Sequence, residues 1–251
     1  MKLLAIDTST DLATVAVSIG NEIIEEEKLG TREHAQVLLT MIDSLLSSAA
    51  ISINQLDGIV FGRGPGSFTG LRITCSIAKA LGYAHDLPLY PVSSLASIAT
   101  EVYINDPAYK NSQVLAVMDA RMQELYWGVY NKGIGSVEES VCAPANIVVS
   151  EDLPTILAGV GFESYTALFS PQVSAKIYKS HVIYPHAKTM LRLVQSGSIE
   201  AVSAENAQPI YVRNQVTQGV PRGKKIVGDI GLSFMQREIA IKKGGAYMQI
   251  R

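Results

Sequence analysis

Leu3-Leu4-Ala5-Ile6-Asp7 is followed by Ala13-Thr14-Val15-Ala16-Val17-Ser18-Ile19-Gly20-Asn21-Glu22-Ile23-Ile24, and the fold turns on how these two stretches are read. The first is a short apolar run and predicts a buried strand. In the second, Ala13, Val15, Val17 and Ile19 alternate with Thr14, Ala16 and Ser18, the period of a strand. Gly20-Asn21 offers a two-residue turn, and Ile23 and Ile24 open a return strand that ends near Leu29. Three consecutive antiparallel strands are predicted.

Working outward, His34, Leu38, Met41, Ile42, Leu45 and Ala49 recur at helical spacing. Val37, Leu39 and Leu46 widen the apolar arc to roughly 200°, twice the stripe of about 100° that an ordinary surface helix needs. The surplus has two readings, burial within the same domain or burial by a partner. Gly58 to Gly62 predicts a strand, and Ser67 to Ala84 a helix whose narrow polar side is marked by Arg72 and Lys79. Leu87 to Val92 is a short or edge strand because of Pro88 and Pro91. Ser93 or Ser94 can cap a helix running to about Val102. The order is β-β-β-α-β-α-β-α.

Asn105-Asp106-Pro107 reads as a linker. Val114 to Met118 is a strand ending at Asp119, and Glu124 to Tyr130 its partner. Ile156 to Ala158 predicts a strand, while Phe162 to Phe169 and Pro185 to Gln195 predict helices. The halves share a faint pattern of strand, Asp, turn and antiparallel strand, headed by Asp7 and by Asp119. Two such aspartates facing across a cleft suit Mg-phosphate binding, since that metal takes hard oxygen ligands.

The chain has 251 residues, 47% hydrophobic and 18% charged, with a net charge of −2, which excludes a mainly disordered chain. No apolar run approaches the roughly 18–20 residues of a membrane span. Asp7 interrupts the N-terminal apolar run too early for a signal peptide. Cys75 and Cys142 are too few for a disulfide framework and lack metal-ligand spacing. A soluble, cytoplasmic protein is expected. Eight Lys/Arg and two Asp/Glu fall in 213–251, leaving an acidic body and a basic tail. Such a tail either touches nucleic acid or pairs with its own body. Ile230 to Lys243 predicts a short basic helix.

Gly62-Arg63-Gly64-Pro65-Gly66-Ser67-Phe68-Thr69-Gly70 sits after a strand and before a helix, where free backbone N–H groups can hold an anion. It is not a dinucleotide fingerprint, because Thr69 stands where the third glycine belongs. It lacks the Gly-Lys-Ser/Thr of a P-loop. A tight strand-to-helix turn explains it equally well. There is no H-E-x-x-H and no G-x-S-x-G. His34, His85, His181 and His186 show no i, i+3 or i, i+4 pair, so no metal site is expected.

Ala5-Ile6-Asp7-Thr8-Ser9-Thr10 resembles the first phosphate hairpin of the actin, hexokinase and heat-shock ATPase superfamily. Arg32-Glu33-His34-Ala35-Gln36, Gly62 through Arg72, Met118 through Trp127, and Pro209-Ile210-Tyr211-Val212-Arg213 are more specific. Together these motifs resemble the TsaB (YeaZ) family, bacterial proteins needed for threonylcarbamoyladenosine modification of tRNA. The resemblance covers about residues 1–215.

It implies an α/β fold of two ribonuclease-H-like domains with mixed β-sheets flanked by helices, over 1–104 and 105–213; the basic tail over 214–251 departs from the family pattern and is assigned no role. It also implies a role beside the related subunit TsaD, which transfers the threonylcarbamoyl group to adenosine 37 of tRNA. TsaD carries His-x-x-x-His for a metal where this chain has Ser94 and Ile98. The loss of both ligands implies a non-catalytic partner that activates TsaD, with the ATPase TsaE completing the assembly and a homodimer forming when the subunit is alone. Earlier peptidase labels for the family find no support in the motifs. The two long helices would form the partner surface, through Ala35, Leu39, Ile42, Leu46, Arg72 and Lys79, while His34, Leu38, Met41 and Leu45 pack on the sheet. Asp7, Thr8, Ser9 and Asp119 would be the remnant of a nucleotide cleft, read either as a weak ATP/Mg site or, preferably, as inherited turns with no cofactor. Arg121 can neutralise Asp119. The alternative is an ATPase or kinase-like enzyme using Asp7 and Asp119.

Overall fold

The computed structural model describes residues 1–30, 34–131 and 138–213. The expected helix at Ile230 to Lys243 and the Arg32-Glu33 pair lie outside them. Met1–Arg213 forms one compact unit.

Its first sheet is built from β1 (Lys2–Asp7), β2 (Leu12–Ile19), β3 (Glu22–Leu29), β4 (Gly58–Gly64) and β5 (Leu89–Ser93). The strand order is β3-β2-β1-β4-β5, antiparallel across β1–β2–β3 and parallel across β1–β4–β5. Gly20, at φ 63°, makes the turn between β2 and β3 as the sequence predicts. α1 (His34–Ser48) and α2 (Phe68–His85) provide the connections around β4. Ser67 Oγ caps α2 by accepting from Gly70 N at 3.3 Å, and Asp86 in the left-handed region ends it. α3 (Ser94–Asn105) is capped by Ser93, whose Oγ accepts from Ala96 N at 3.1 Å.

The second sheet repeats the first. Its strands are β6 (Gln113–Asp119), β7 (Leu125–Tyr130), β8 (Ser140–Cys142), β9 (Thr155–Val160) and β10 (Ile177–Val182). The order β10-β9-β6-β7-β8 is the same topology read from the other edge. Asp7 and Asp119 therefore close equivalent central strands. The Phe162 to Phe169 helix of the sequence reading is instead a 3₁₀ segment, Glu163–Leu168, followed by the short α4 (Pro171–Lys176). The helix expected from Pro185 begins two residues later, as α5 (Ala187–Gln195).

Packing runs across the halves. α1 and α2 cover one face of the first sheet over Leu4, Ile6, Val15, Val17, Ile59 and Phe61. α5, from the second half, covers the other face, burying Met190 and Leu191 against Leu3, Ala5, Ala16 and Val60. α3, from the first half, covers the second sheet with Leu95, Ile98 and Val102 against Val114, Ala116 and Ile156. Each fully buried aliphatic side chain of this kind contributes roughly 1.5–3 kcal/mol. α3 and α5 also pack together, forming a central layer between the sheets. Glu101 accepts from Thr189 Oγ1 across that layer. The outer face of the second sheet is closed by Ile147, Phe162, Phe169 and Val173. Among the described residues no helix is long and apolar enough to cross a membrane.

Candidate functional site

β1 delivers Asp7, Thr8 and Ser9 to the end of the first sheet, where all three are buried. Asp7 Oδ1 accepts from Ser9 N at 3.0 Å and from Ser9 Oγ at 2.7 Å. Thr8 Oγ1 donates to Gly70 O at 2.9 Å and lies 2.6 Å from Thr74 Oγ1. Ser67 N donates to Ser9 O at 2.7 Å. The glycine-rich loop thus lies directly on the hairpin, and the contact needs glycine. A Cβ at Gly62 would stand 1.7 Å from Asp7 Oδ2, and one at Gly70 1.8 Å from Thr8 O. Asp7 Oδ2 itself is buried without a hydrogen-bond partner. Burial pushes the carboxyl up to about 6, against the opposing pull of the Ser9 hydrogen bonds. A phosphate hairpin works by offering free N–H groups to an anion; here the Ser9 and Ser67 N–H groups are engaged within the chain.

The equivalent turn of the second sheet is built differently. Asp119 Oδ1 accepts from Arg121 N at 2.7 Å and from Tyr165 Oη at 2.9 Å. Arg121 Nη1 lies 3.1 Å from Oδ2, so the neutralising arginine expected from the sequence is in place. Arg121, Met122 and Gln123 all adopt positive φ, between 57° and 62°. Three consecutive non-glycine residues in this region carry strain that surrounding contacts must hold. Arg213 supplies them: its Nη2 donates to Ala120 O at 3.0 Å and pairs with Glu124 Oε2 at 2.6 Å.

The proposed partner edge divides. Ala35 and Leu39 are exposed, Leu39 by 51%, but Ile42 and Leu46 are only 5% and 8% exposed and belong to the chain's own core. Ile42 and Leu46 are therefore corrected to core positions, in the cluster that joins α1 to the sheet, to α2 and to the segment after α1. Leu38, Met41 and Leu45 do pack on that sheet. Arg72 is exposed; its guanidinium stacks 3.9 Å over the Phe68 ring, and its Nε donates to Tyr211 Oη at 3.2 Å. Lys79 is used internally, donating to Glu205 O and Ala207 O, both at 3.2 Å. It pins the segment after α5 onto α2, and Ile210 N further along that segment donates to Arg63 O in β4 at 2.8 Å.

Sequence reasoning missed Phe68 and Tyr83, which are 48% and 79% exposed on α2. The spacing of Phe68, Arg72, Ser76, Ala80 and Ala84 held the signal, because residues four apart share one helical face and all five are exposed. Counting exposed positions on both helices, Asp43 and Arg72 are the only charged ones among the described side chains. Ser94 and Ile98 are fully buried in α3. Beside them Glu139 accepts from Ser93 Oγ and, at 2.7 Å, from Tyr130 Oη, with Arg63 Nη2 at 3.6 Å.

The family profile described as TsaD, tRNA N6-adenosine threonylcarbamoyltransferase, matches residues 19–218. The chain is similar to the tRNA threonylcarbamoyladenosine biosynthesis protein TsaB of Haemophilus influenzae, with 32% identity over 86% of this chain and 95% of that one. It is likewise 32% identical to the Escherichia coli protein of the same description, over 90% of this chain and all (100%) of that one. Among solved structures, YeaZ from Pseudomonas aeruginosa superposes with a TM-score of 0.75 at 34% identity, covering 84% of this chain and 99% of that one.

Proposed function

This chain belongs to the TsaB (YeaZ) family of tRNA threonylcarbamoyladenosine biosynthesis proteins, and from that premise we propose that it is the partner subunit that binds and activates a TsaD-type transferase. The observation that carries this reading is the charge-poor outer face of α1 and α2, with Leu39, Phe68 and Tyr83 exposed and only Asp43 and Arg72 charged. Solvated helices carry many more charges than this, and depletion of charge with enrichment of aromatics and arginine is the composition of an interface core. Ser76, Ala80 and Ala84 leave room along α2 for a second helix to approach closely. In the absence of a TsaD-type subunit the same face pairs two copies of this chain, and a TsaE-type ATPase completes the assembly. tRNA is reached through the complex.

We further propose that the subunit is non-catalytic by itself. Ile98 is packed among Leu95, Ala99 and Val102 and offers no ligand. Asp7 is sealed beneath the glycine-rich loop, and Asp119 is already paired with Arg121. Neither arrangement leaves an ionised carboxylate free for Mg-nucleotide, which argues against the ATPase or kinase-like alternative.

The test is reconstitution with the TsaD-type protein of the same genome, read by light scattering and by modified tRNA. A one-to-one complex and modification dependent on this chain are expected. Leu39→Glu should weaken the complex by about tenfold or more while changing folding stability by only about 0.5 kcal/mol. Wild-type affinity in that variant would remove α1 from the interface. Modification proceeding without this chain would overturn the proposal as a whole.

A further inference from the structure

Among the described residues, one group of metal-ligating side chains gathers on the Asp7 side of the first sheet, where Glu27 pairs with Thr14 and Thr14 with Asp7: Glu25, Glu27 and His186, whose ligand atoms all fall within 4.8 Å of one another. Glu25 and Glu27 project from the same face of the edge strand β3, two residues apart. His186 immediately precedes α5, the helix that crosses to the first sheet. His186 Nδ1 is 2.7 Å from Glu27 Oε1 and 3.8 Å from Glu25 Oε1. Despite that proximity, Nδ1 is shielded from solvent and has no hydrogen-bond partner of acceptable geometry.

The surroundings hold these groups in place. Ser97 Oγ accepts from His186 N at 3.1 Å and donates to His186 O at 3.2 Å, so α3 grips the histidine backbone at both ends. Thr14 Oγ1 accepts from Ala187 N at 3.1 Å. Glu25 Oε1 accepts from Lys188 N at 3.1 Å, while Lys188 Nζ lies 3.2 Å from Oε2. Lys188 therefore engages both Glu25 oxygens, its N–H at Oε1 and its ammonium at Oε2, and Oε1 keeps one further lone pair. Fixing first-shell ligands by such outer contacts is the usual construction of a metal centre.

We propose that Glu25, Glu27 and His186 form a binding site for a zinc-class divalent transition metal that fastens edge strand β3 to the start of α5. Imidazole with two carboxylates suits zinc and its neighbours, whereas magnesium and calcium take oxygen ligands throughout. Ligands on a tetrahedral zinc stand about 3.4 Å apart, given metal–ligand distances near 2.0–2.2 Å. The observed 2.7 and 3.8 Å bracket that spacing, so closure needs only small side-chain shifts. Water takes the fourth position, as in other zinc sites with three protein ligands.

The full-length chain, stripped with EDTA and desalted, is titrated with ZnCl2 by calorimetry and equilibrium dialysis. One Zn²⁺ per chain is expected, raising Tm by about 5 °C at a hundredfold excess over Kd. Co²⁺ in its place gives the visible bands of a four-coordinate site. Glu27→Gln and His186→Gln should each weaken binding by more than about tenfold, the loss that even an outer-shell change produces. His181→Gln and the double change Cys75→Ser with Cys142→Ser should leave it unaltered. Should His186→Gln fail to fold, Glu27→Gln and the cobalt bands of the wild-type chain decide the matter. No saturable uptake, or uptake insensitive to Glu27→Gln, would reduce the cluster to an ion-pair network and overturn the proposal.

Discussion

The two halves of this molecule share one sheet topology but finish it differently at the end of the central strand and on the outer face. In the first half Asp7 is fully buried, with one oxygen unpaired, and the glycine-rich loop rests on it. In the second half Asp119 keeps both oxygens paired, under Arg121 and Tyr165. The outer coverings differ in the same way. α1 and α2 are long and nearly uncharged on their exposed side. The second sheet is closed by a 3₁₀ segment and the six-residue α4. The second repeat closes its own outer face, while the first leaves a long, charge-poor helical face exposed.

Gly70 and Gly161 contrast the two aspartate turns, while Gly159 in the second half is packed as closely as Gly70, its Cβ position 1.7 Å from Val117 O. A Cβ at Gly70 would meet the backbone oxygen of Thr8 at 1.8 Å, a contact no side-chain rotation relieves. Gly70→Ala should therefore cost about 3 kcal/mol or more, read by urea unfolding. At Gly161 the nearest contact is Asp119 Cβ at 2.7 Å, and the residue sits at φ +72°. Gly161→Ala should cost about 1–2 kcal/mol for the left-handed backbone plus a small shift of the aspartate. Equal losses would mean that the glycine-rich loop packs no more closely than its counterpart.

Asp7 sharpens the comparison through pH. Its folded carboxyl is pushed up to about 6 from 3.8 by burial. Between these values the unfolded chain ionises while the folded chain holds its proton, so this group lowers stability as pH rises from about 4 to about 6. Above that range the penalty is complete and flat. A shift of this size corresponds to about 3 kcal/mol. Asp7→Asn removes the titration, so the stability difference between wild type and variant should change by about that amount across the window. A flat difference for Asp7→Asn would mean that the turn is open to water.

The first half was legible because its signals are local. Alternation from Ala13 to Ile19, the Gly20 turn and the apolar spacing from Leu38 to Leu45 each specify an element without reference to the rest of the chain. The second half hides its elements. β8 has three residues, and β10 is a largely exposed edge strand without alternation. The crossing of α5 to the first sheet was invisible, since an apolar stripe does not say which sheet it covers. Ile42 and Leu46 belong to the core for a related reason: a helical wheel gives the width of an apolar arc, not which neighbouring elements close around it. The approach of Glu25 and Glu27 to His186 depends on that crossing too, so inspection of histidine spacing alone could not find it.

Arg121 offers the smallest effect and tests whether the second turn is held by its ion pair or by its backbone. The guanidinium is 82% exposed, so water and salt screen its attraction to Asp119. Arg121→Ala should cost at most about 0.5–1 kcal/mol, falling further in high salt. Arg213 is the stronger restraint, with its side chain only 12% exposed and its bonds directed at Ala120 O and Glu124. Arg213→Ala should accordingly cost about 1–3 kcal/mol, because it leaves Glu124 unpaired and releases a turn with three left-handed residues. Paired unfolding curves at low and high salt distinguish the two. If Arg121→Ala proved the more damaging, the neutralisation of Asp119 would be the organising interaction of this turn, and the second half would depend on charge where the first depends on close packing.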